Sequence, residues 1–471
     1  MKYNKPYKAC EPQETINRIK NILFDCDIFL TEKYHKVSTN FYSCRLIVSG
    51  NNLEELYKGT NGKGLTLQYS LASAYGEFME RLQNDYIFID NIFHSNIFYS
   101  NSGISSNLTD ILLKKNLLLD FRYDPNEKHM AFSNLPEDLR NILHSIAKYN
   151  RCVGKFISVY NHKQIFVPFF SVKEKAKKFL PIQLFLEKTG SNGMCAGNTP
   201  KEALIQGLCE ILERYAIKRI FQEAPVLPSI PIELFHHTEI YDLITKLQQD
   251  NHIAVYIKDC SFGLDIPIIG VLIIDYTTNA YVFNVGAAMS PDIALQRCFT
   301  EIYQGDQYLQ MLNKIDVLHS LNANSPDDIK NREMLSFITK GKGKLPNSIF
   351  IKGKDIDTLN WELGQNDEKD FNFLINAILS LGYDIYIRDV SFLGFPSFYI
   401  YIPGMSEVMY PFDENLYDNY HTMFFNVKLL YDLKNKSIKE YKEIISFLEN
   451  EKIDNIRLFP YNIIQVSQVN R

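Results

Sequence analysis

Glu210, Glu213 and Arg214 lie in the stretch 190–219, GSNGMCAGNTPKEALIQGLCEILERYAIKR. Its spacing predicts a glycine-punctuated loop, Gly193 to Gly197, running into a helix. Thr199 suits the N-cap, Pro200 the first helical position, and Glu202 stands three residues after Thr199, as in a capping box. At about 100° per residue, Leu204, Leu208, Ile211 and Tyr215 share one face, and Gln206, Glu210 and Glu213 form a stripe opposite them. A single stripe of this kind is an ordinary solvated helix face. This chain carries three.

The first copy lies 133 residues earlier, so that Gly64 maps onto Gly197, Thr66 onto Thr199, Glu77 onto Glu210, Glu80 onto Glu213 and Arg81 onto Arg214. Leu71, Tyr75, Phe78 and Leu82 form its apolar face, with Ser73, Glu77 and Glu80 opposite. A weaker third copy follows Gly286-Ala287-Ala288, with Leu295, Phe299 and Ile302 on one side and Arg297, Glu301 and Gln304 on the other. Solvated helices have no reason to repeat both a glycine segment and a polar stripe in register.

Five carboxylates, Glu77, Glu80, Glu210, Glu213 and Glu301, would repel one another if they converged. Hard divalent cations make such convergence favourable, because Mg²⁺ takes oxygen ligands and bridges carboxylates to phosphates. Glu202 is a sixth candidate, or only the cap of its helix. Arg81, Arg214 and Arg297 suit phosphate, and the glycine segments at helix N-termini offer N–H groups to anions. The constellation therefore reads as a nucleotide–Mg²⁺ site. It is not a Walker loop, since Gly62-Lys63-Gly64 is too short for one.

The elements that position these residues read as α+β, with strand pairs alternating with site-bearing helices, mostly antiparallel sheet and internal pseudo-symmetry. A helix is expected over about 12–25, a strand over 41–48 turning at Gly50-Asn51-Asn52, and a helix over 137–149. A hairpin is expected from 155–160 and 164–172 around Asn161-His162. Three further strands are expected at 253–258, 267–276 and 280–285. Tyr256-Ile-Lys-Asp-Cys-Ser-Phe262 recurs 130 residues later as Tyr386-Ile-Arg-Asp-Val-Ser-Phe392, read as two strand–loop–strand units without chemistry of their own. The charged stretch 305–370, with its Gly341–Lys344 loop, shows little periodicity. The expected division is 1–60 as a helix and hairpin closing the nucleotide site, 61–412 as the core, and 413–471 as a tail with a helix over about 437–450.

Composition narrows the classes. The chain has 471 residues, 46% of them hydrophobic, with 50 Lys+Arg against 55 Asp+Glu. That balance gives no electrostatic footprint for nucleic acid. No apolar run approaches the roughly 18 residues of a membrane span, and Met1–Asn4 does not lead into a signal-peptide core. The 8 cysteines lack metal-ligand spacing, which fits a reduced, cytoplasmic setting. Neither the 10 histidines nor Cys195 forms a nucleophilic constellation, and Cys195 reads as a small buried thiol.

At these residues the chain resembles the YcaO family. The resemblance rests on Ser191-Asn192-Gly193 and Ala196-Gly197-Asn198 followed by Glu210/Glu213/Arg214. It also rests on Gly62-Lys63-Gly64, Ser73-Ala74 and Glu77/Glu80/Arg81, and on Arg297, Glu301 and Gln304. It extends from about residue 5 to 412 and is nearest the stand-alone branch, to which Tyr86-Ile87-Phe88, Pro125–Lys128, Pro403–Glu407 and Tyr410-Pro411 are similar. The family implies an ATP- and Mg²⁺-dependent enzyme that activates a peptide amide by phosphorylating its oxygen, giving an azoline, thioamide or amidine.

The resemblance further implies that the five glutamates hold Mg²⁺ and that Lys8, Thr15, Ser73, Arg81, Asn198, Glu202, Arg214, Arg297 and Gln304 contact the nucleotide. The expected partners are a peptide or protein substrate, a partner modification enzyme and a second copy of the chain. Azoline-forming members commonly end in P-x-P-x-P. The ending Val466–Arg471 points instead to the branch resembling accessory factors for ribosomal-protein methylthiolation. The alternatives are an azoline- or thioamide-forming enzyme and, in another class, a non-catalytic nucleotide-binding adaptor.

Overall fold

The computed structural model describes residues 8–26, 28–36, 41–49, 59–84, 128–130, 164–181, 189–278, 280–302, 313–314, 333–334, 336–338, 341, 343–359, 364 and 366–408. Gln304, the helices expected at 137–149 and 437–450, and the turns at 50–52 and 161–162 lie outside them, as do Tyr86–Phe88, Pro125–Glu127 and Tyr410-Pro411. The chain divides into two compact units, 1–87 with 107–412, and 88–106 with 413–471. The first contains every described residue.

Helix α1 (Pro12–Asp25) starts at a proline and buries Ile16, Ile19 and Leu23 on one stripe, as its spacing predicts. An antiparallel sheet of β1 (Leu30–Lys36), β2 (Tyr42–Val48) and β3 (Gly59–Gly64) follows, with β2 in the middle. Strand β3 feeds α2 (Leu67–Gln83), capped by the Thr66 hydroxyl accepting from the Tyr69 N–H at 3.2 Å. A boundary drawn at residue 60 thus falls inside β3.

Strands β4 (Lys128–Met130), β5 (Gln164–Ser171), β6 (Ala176–Pro181) and β7 (Met194–Ala196) belong to a second sheet with the late strands β12 (Tyr386–Asp389) and β13 (Ser397–Tyr401), ordered β4-β5-β12-β13-β7 with β6 on β5. From β7 the chain enters α3 (Pro200–Glu223), capped by Thr199 accepting from the Glu202 N–H. Helix α4 (Glu239–Gln248) precedes an antiparallel meander of β8 (Ile253–Asp259), β9 (Ile268–Asp275) and β10 (Ala280–Ala287). Strand β11 (Asn313–Lys314) extends it beyond β10. Helix α5 (Pro291–Ile302) leaves β10, and α6 (Asp367–Ser380), β12 (Tyr386–Asp389) and β13 (Ser397–Tyr401) complete the described elements.

Strand β9 explains the layering. It is apolar on both faces, and its period of two sends Ile268 and Leu272 into the core shared with α3 and α6, while Ile269, Val271 and Ile273 enter the core shared with α4 and α5. The meander is thus sandwiched between two helical layers, and α3 and α5 are fixed on opposite faces of one sheet. All ladders between named strands are antiparallel.

The expected glycine loops are a correction. Gly62-Lys63-Gly64 is strand, Met194–Ala196 between Gly193 and Gly197 is strand, and Gly286 lies in β10. Glycine is there because each strand runs against the helix it feeds. A Cβ on Gly62 would lie 1.9 Å from the Ser70 carbonyl oxygen, and one on Gly286 would lie 2.5 Å from that of Ala294. In both cases the blocking carbonyl is eight residues on. Likewise a Cβ on Gly64 or Gly197 would meet the backbone N of the residue six positions later, Ser70 or Ala203, at 2.7 or 2.8 Å. The repeat in sequence is therefore a repeated strand-on-helix contact.

These contacts give a sharp expectation. Gly62→Ala will destabilise the fold by about 3 kcal/mol through overpacking against backbone. Gly76→Ala, inside α2 where a Cβ meets nothing within 4 Å, will stabilise it by up to about 1 kcal/mol. Denaturant midpoints of the two variants should move in opposite directions.

Candidate functional site

Three strand-to-helix units, β3–α2, β7–α3 and β10–α5, carry the repeated stripes, and their polar faces meet. Arg297 on α5 donates through Nη2 to Oε2 of Glu213 on α3 at 3.4 Å, and the Ala287 N–H at the end of β10 donates to the same oxygen at 3.4 Å. Lys63 on β3 pairs with Glu301 on α5. Glu210 on α3 pairs with Arg214 at 3.1 Å, and Arg81 lies 3.6 Å from Glu77 and 3.4 Å from Glu80. Contacts thus join the third unit to the second and to the first, while Glu210 and the Glu77/Glu80 pair each hold an arginine of their own helix.

Charge coupling runs across the same helices. Burial pushes the Glu80 carboxyl well above its ordinary range; Arg81 opposes this first, and Glu210 and Glu77 reinforce it. Burial likewise raises Glu77, with Arg81 and Lys63 opposing and Glu210 reinforcing. Lys63 is lowered to about 8 by desolvation and then by Arg297, against the pull of Glu213, Glu77 and Glu210. Carboxylates from two helices and a lysine from a strand therefore sense one another.

A second group closes around the start of α3. The Thr15 hydroxyl donates to Asn198 Oδ1 at 2.8 Å, and Arg18 donates to the Asn198 and Gly394 carbonyls at 3.1 and 2.8 Å. Lys8 Nζ donates to Gln206 Oε1 at 2.7 Å and lies 3.6 Å from Glu202. The Ala9 N–H donates to Glu202 Oε2 at 2.8 Å. Lys8 thus meets Gln206 on the stripe of α3, and Thr15 meets Asn198 just before that helix begins. Gln206 and Arg18 join them; Gln206 was legible as a member of the stripe, Arg18 was not.

Glu202 differs from the expected capping box. Its Oε1 accepts from the Asn198 N–H and Nδ2, each at 3.3 Å, while Thr199 alone caps α3. The carboxylate, 9% exposed, bridges the start of α3 and the Lys8–Ala9 segment, accepting from Asn198 on one oxygen and Ala9 on the other. Ser73 is exposed on α2, one turn before Glu77.

Other motif residues are scaffold. Gly193 takes φ +94°, and a Cβ there would lie 2.0 Å from the Ile400 carbonyl oxygen. Asn192 Nδ2 donates to the Ser406 carbonyl at 2.7 Å, and Glu407 accepts from the Tyr401 hydroxyl and the Gly404 N–H at 2.7 and 2.8 Å. Asp259 and Asp389 each accept at 2.9 Å from the N–H two residues on, the same turn in both copies. Gly343 and Lys344 lie in a loop whose backbone contacts Tyr281 and Glu333. Cys195 is fully buried, its thiol held well above its ordinary range by burial, so it is no nucleophile.

Among the described residues no group of three or more His, Cys, Asp or Glu is assembled as a ready metal cage. Each carboxylate leans on a cationic side chain instead. The donor set still fits Mg²⁺. It consists of hard oxygens, and two of its members, Glu77 and Glu80, are destabilised as anions by burial, a cost that a divalent cation removes.

Paired carboxylates and guanidinium groups from three like strand-to-helix units thus sit on an α+β scaffold of antiparallel sheets. The chain belongs to the YcaO family: the family model described as YcaO cyclodehydratase, ATP- and Mg²⁺-binding, matches residues 61–406. It is 27% identical over 408 residues to an uncharacterized protein of Haemophilus influenzae, covering 84% of this chain and 65% of that one. It is also 27% identical over 366 residues to the ribosomal protein S12 methylthiotransferase accessory factor YcaO of Escherichia coli, covering 75% of this chain and 58% of that one. The chain therefore spans less than two-thirds of the length of these curated relatives. Among solved structures, YcaO from Methanopyrus kandleri bound with AMPPCP and Mg²⁺ shares the fold. The TM-score is 0.53 at 15% identity, over 85% of this chain and 93% of that one. No described helix is long and apolar enough to cross a membrane.

Proposed function

We propose that this chain uses Mg²⁺-ATP to phosphorylate the oxygen of a peptide backbone amide and so activate it for modification. The observation carrying this reading is the convergence of Glu77, Glu80, Glu210, Glu213 and Glu301 with Arg81, Arg214 and Arg297 from three repeated units. Those five glutamates hold Mg²⁺, which when bound neutralises phosphate charge and orients the transferred group. The arginines trade their present carboxylate partners for phosphate oxygens, a better match for a planar fork. Lys8, Thr15, Ser73, Asn198, Glu202 and Gln304 contact the nucleotide. With Cys195 inert, the attacking group comes from the substrate or from a partner enzyme, and catalysis is positioning and electrostatic stabilisation.

The E. coli relative carries the name of an accessory factor for a ribosomal-protein methylthiotransferase, which supports a ribosomal protein as acceptor and that enzyme as partner. The family's cyclodehydratase description favours a second reading, azoline or thioamide formation on a peptide. A cytoplasmic setting and assembly as a homodimer belong to the same proposal. Phosphate release from Mg²⁺-ATP, followed with and without ribosomal protein S12 or a cysteine-containing peptide, tests the reading. Stimulated release is expected. Nucleotide binding with no release under any condition would leave a non-catalytic adaptor.

A further inference from the structure

Lys63 is absorbed by none of the roles above, yet it pairs with Glu301, one of the five carboxylates. It lies on β3 and reaches across to Glu301 on α5, joining the first and third units. Its charge is felt by Glu213, Glu77 and Glu210 as well, with Arg297 opposing it. Its side chain is 22% exposed, so it is embedded in the site and not swept across a surface. The repeat sharpens the point. In the second and third units the corresponding strand positions are Ala196 and Ala287, both buried and neutral. Packing of a strand on its helix therefore requires no lysine there, and only the first unit supplies a mobile cation.

Resting on the nucleotide–Mg²⁺ reading, we propose that Lys63 is a tethered counter-ion. It occupies the carboxylate cluster through Glu301 while metal is absent, is displaced when Mg²⁺ takes those oxygens, and then turns its ammonium to the nucleotide's phosphates. A four-carbon stem with three rotatable donors suits such a swap better than an arginine fork would. Arg81, Arg214 and Arg297 neutralise Glu77, Glu80, Glu210 and Glu213, and Lys63 does the same for Glu301. Metal binding and nucleotide binding become coupled through one side chain, because the charge that Mg²⁺ expels is the charge that the phosphates recruit.

The test uses the full chain, thermal unfolding and calorimetry, first with Mg²⁺ alone and then with Mg²⁺ and a non-hydrolysable ATP analogue. Lys63→Met removes the competitor and the phosphate contact together. It should bind Mg²⁺ alone about tenfold more tightly and the Mg²⁺-analogue complex about tenfold more weakly than the wild type, one charge contact in each direction. Its unfolding temperature in EDTA should fall and should recover on adding Mg²⁺. Lys63→Arg, which keeps the charge, should follow the wild type for Mg²⁺ alone. If Lys63→Met fails to fold, Lys63→Gln carries the same paired expectation. A residue that only supports the fold would weaken both affinities together, and that result, or no change in either, overturns the inference. Wild-type protein that binds no Mg²⁺-analogue complex at all would instead sink the nucleotide reading on which it rests.

Discussion

Glu210→Gln and Glu77→Gln will each lower ATP turnover by a factor on the order of 10² or more, the size of effect seen when one preorganised electrostatic contact to a transition state is lost. Their unfolding transitions will move little. Glu210 is half-buried, and its 3.1 Å pair with Arg214 is an i,i+4 contact, a class worth at most about 0.5 kcal/mol. Glu77 is already pushed up by burial, so replacing its anion with a neutral amide will leave the metal-free protein as stable or more stable. Loss of activity with retained or increased stability is the mark of a residue kept for function against the preference of the fold. Phosphate-release rates beside melting curves separate the two readings of the repeat. Wild-type turnover in both variants would return the stripes to solvated helix faces.

The second large effect concerns the segment folded over α3. Deleting residues 1–10 removes Lys8 and Ala9 from Glu202 and Gln206 and should weaken nucleotide affinity by about tenfold to a hundredfold, the worth of one or two charge-assisted hydrogen bonds. A deletion through residue 20 would be uninformative, because Ile16 and Ile19 belong to the core at 1% and 0% exposure; such a cut will damage folding itself. Glu202→Gln refines the result. The amide oxygen still accepts from Ala9, while the charge facing Lys8 at 3.6 Å is lost. Thr199 still caps the helix, but the amide nitrogen in place of Oε1 faces the Asn198 N–H and Nδ2 donors, so a modest fall in melting temperature is expected beside the loss of affinity. Calorimetric affinities of the truncated and substituted chains, unchanged from wild type, would make the segment an ordinary surface clasp.

Much of the site was legible because it rests on local periodicities. The 3.6-residue spacing placed Glu210 beside Gln206 and Glu213, and the 133-residue register transferred the same stripe to Glu77 and Glu80. Thr66 and Thr199 cap their helices as their residue type implies. The apolar runs of the meander likewise stand as three strands. What escaped the sequence is tertiary. Gly-Lys-Gly reads as a loop because glycine is a poor strand former, and only the helix lying against β3 explains its use there. Leu-Thr-Glu-Lys-Tyr-His-Lys of β1 has no apolar alternation to announce a strand. No spacing rule foretells that Arg297 reaches Glu213 or that Lys63 reaches Glu301, since each contact joins separate repeats. Glu202 stands three residues into the start of α3 as its spacing from Thr199 implies, but its contact with Ala9, 193 residues earlier, follows from no spacing.

The central claim is that these three repeats build one Mg²⁺-dependent nucleotide site. Calorimetric titration of the full chain with AMPPCP, once with excess Mg²⁺ and once with excess EDTA, tests it most directly. Saturable binding with Mg²⁺ and none in EDTA is expected, because without the cation Glu77, Glu80, Glu210, Glu213 and Glu301 repel the phosphates. Equal affinity in the two buffers, or no binding in either, would contradict it.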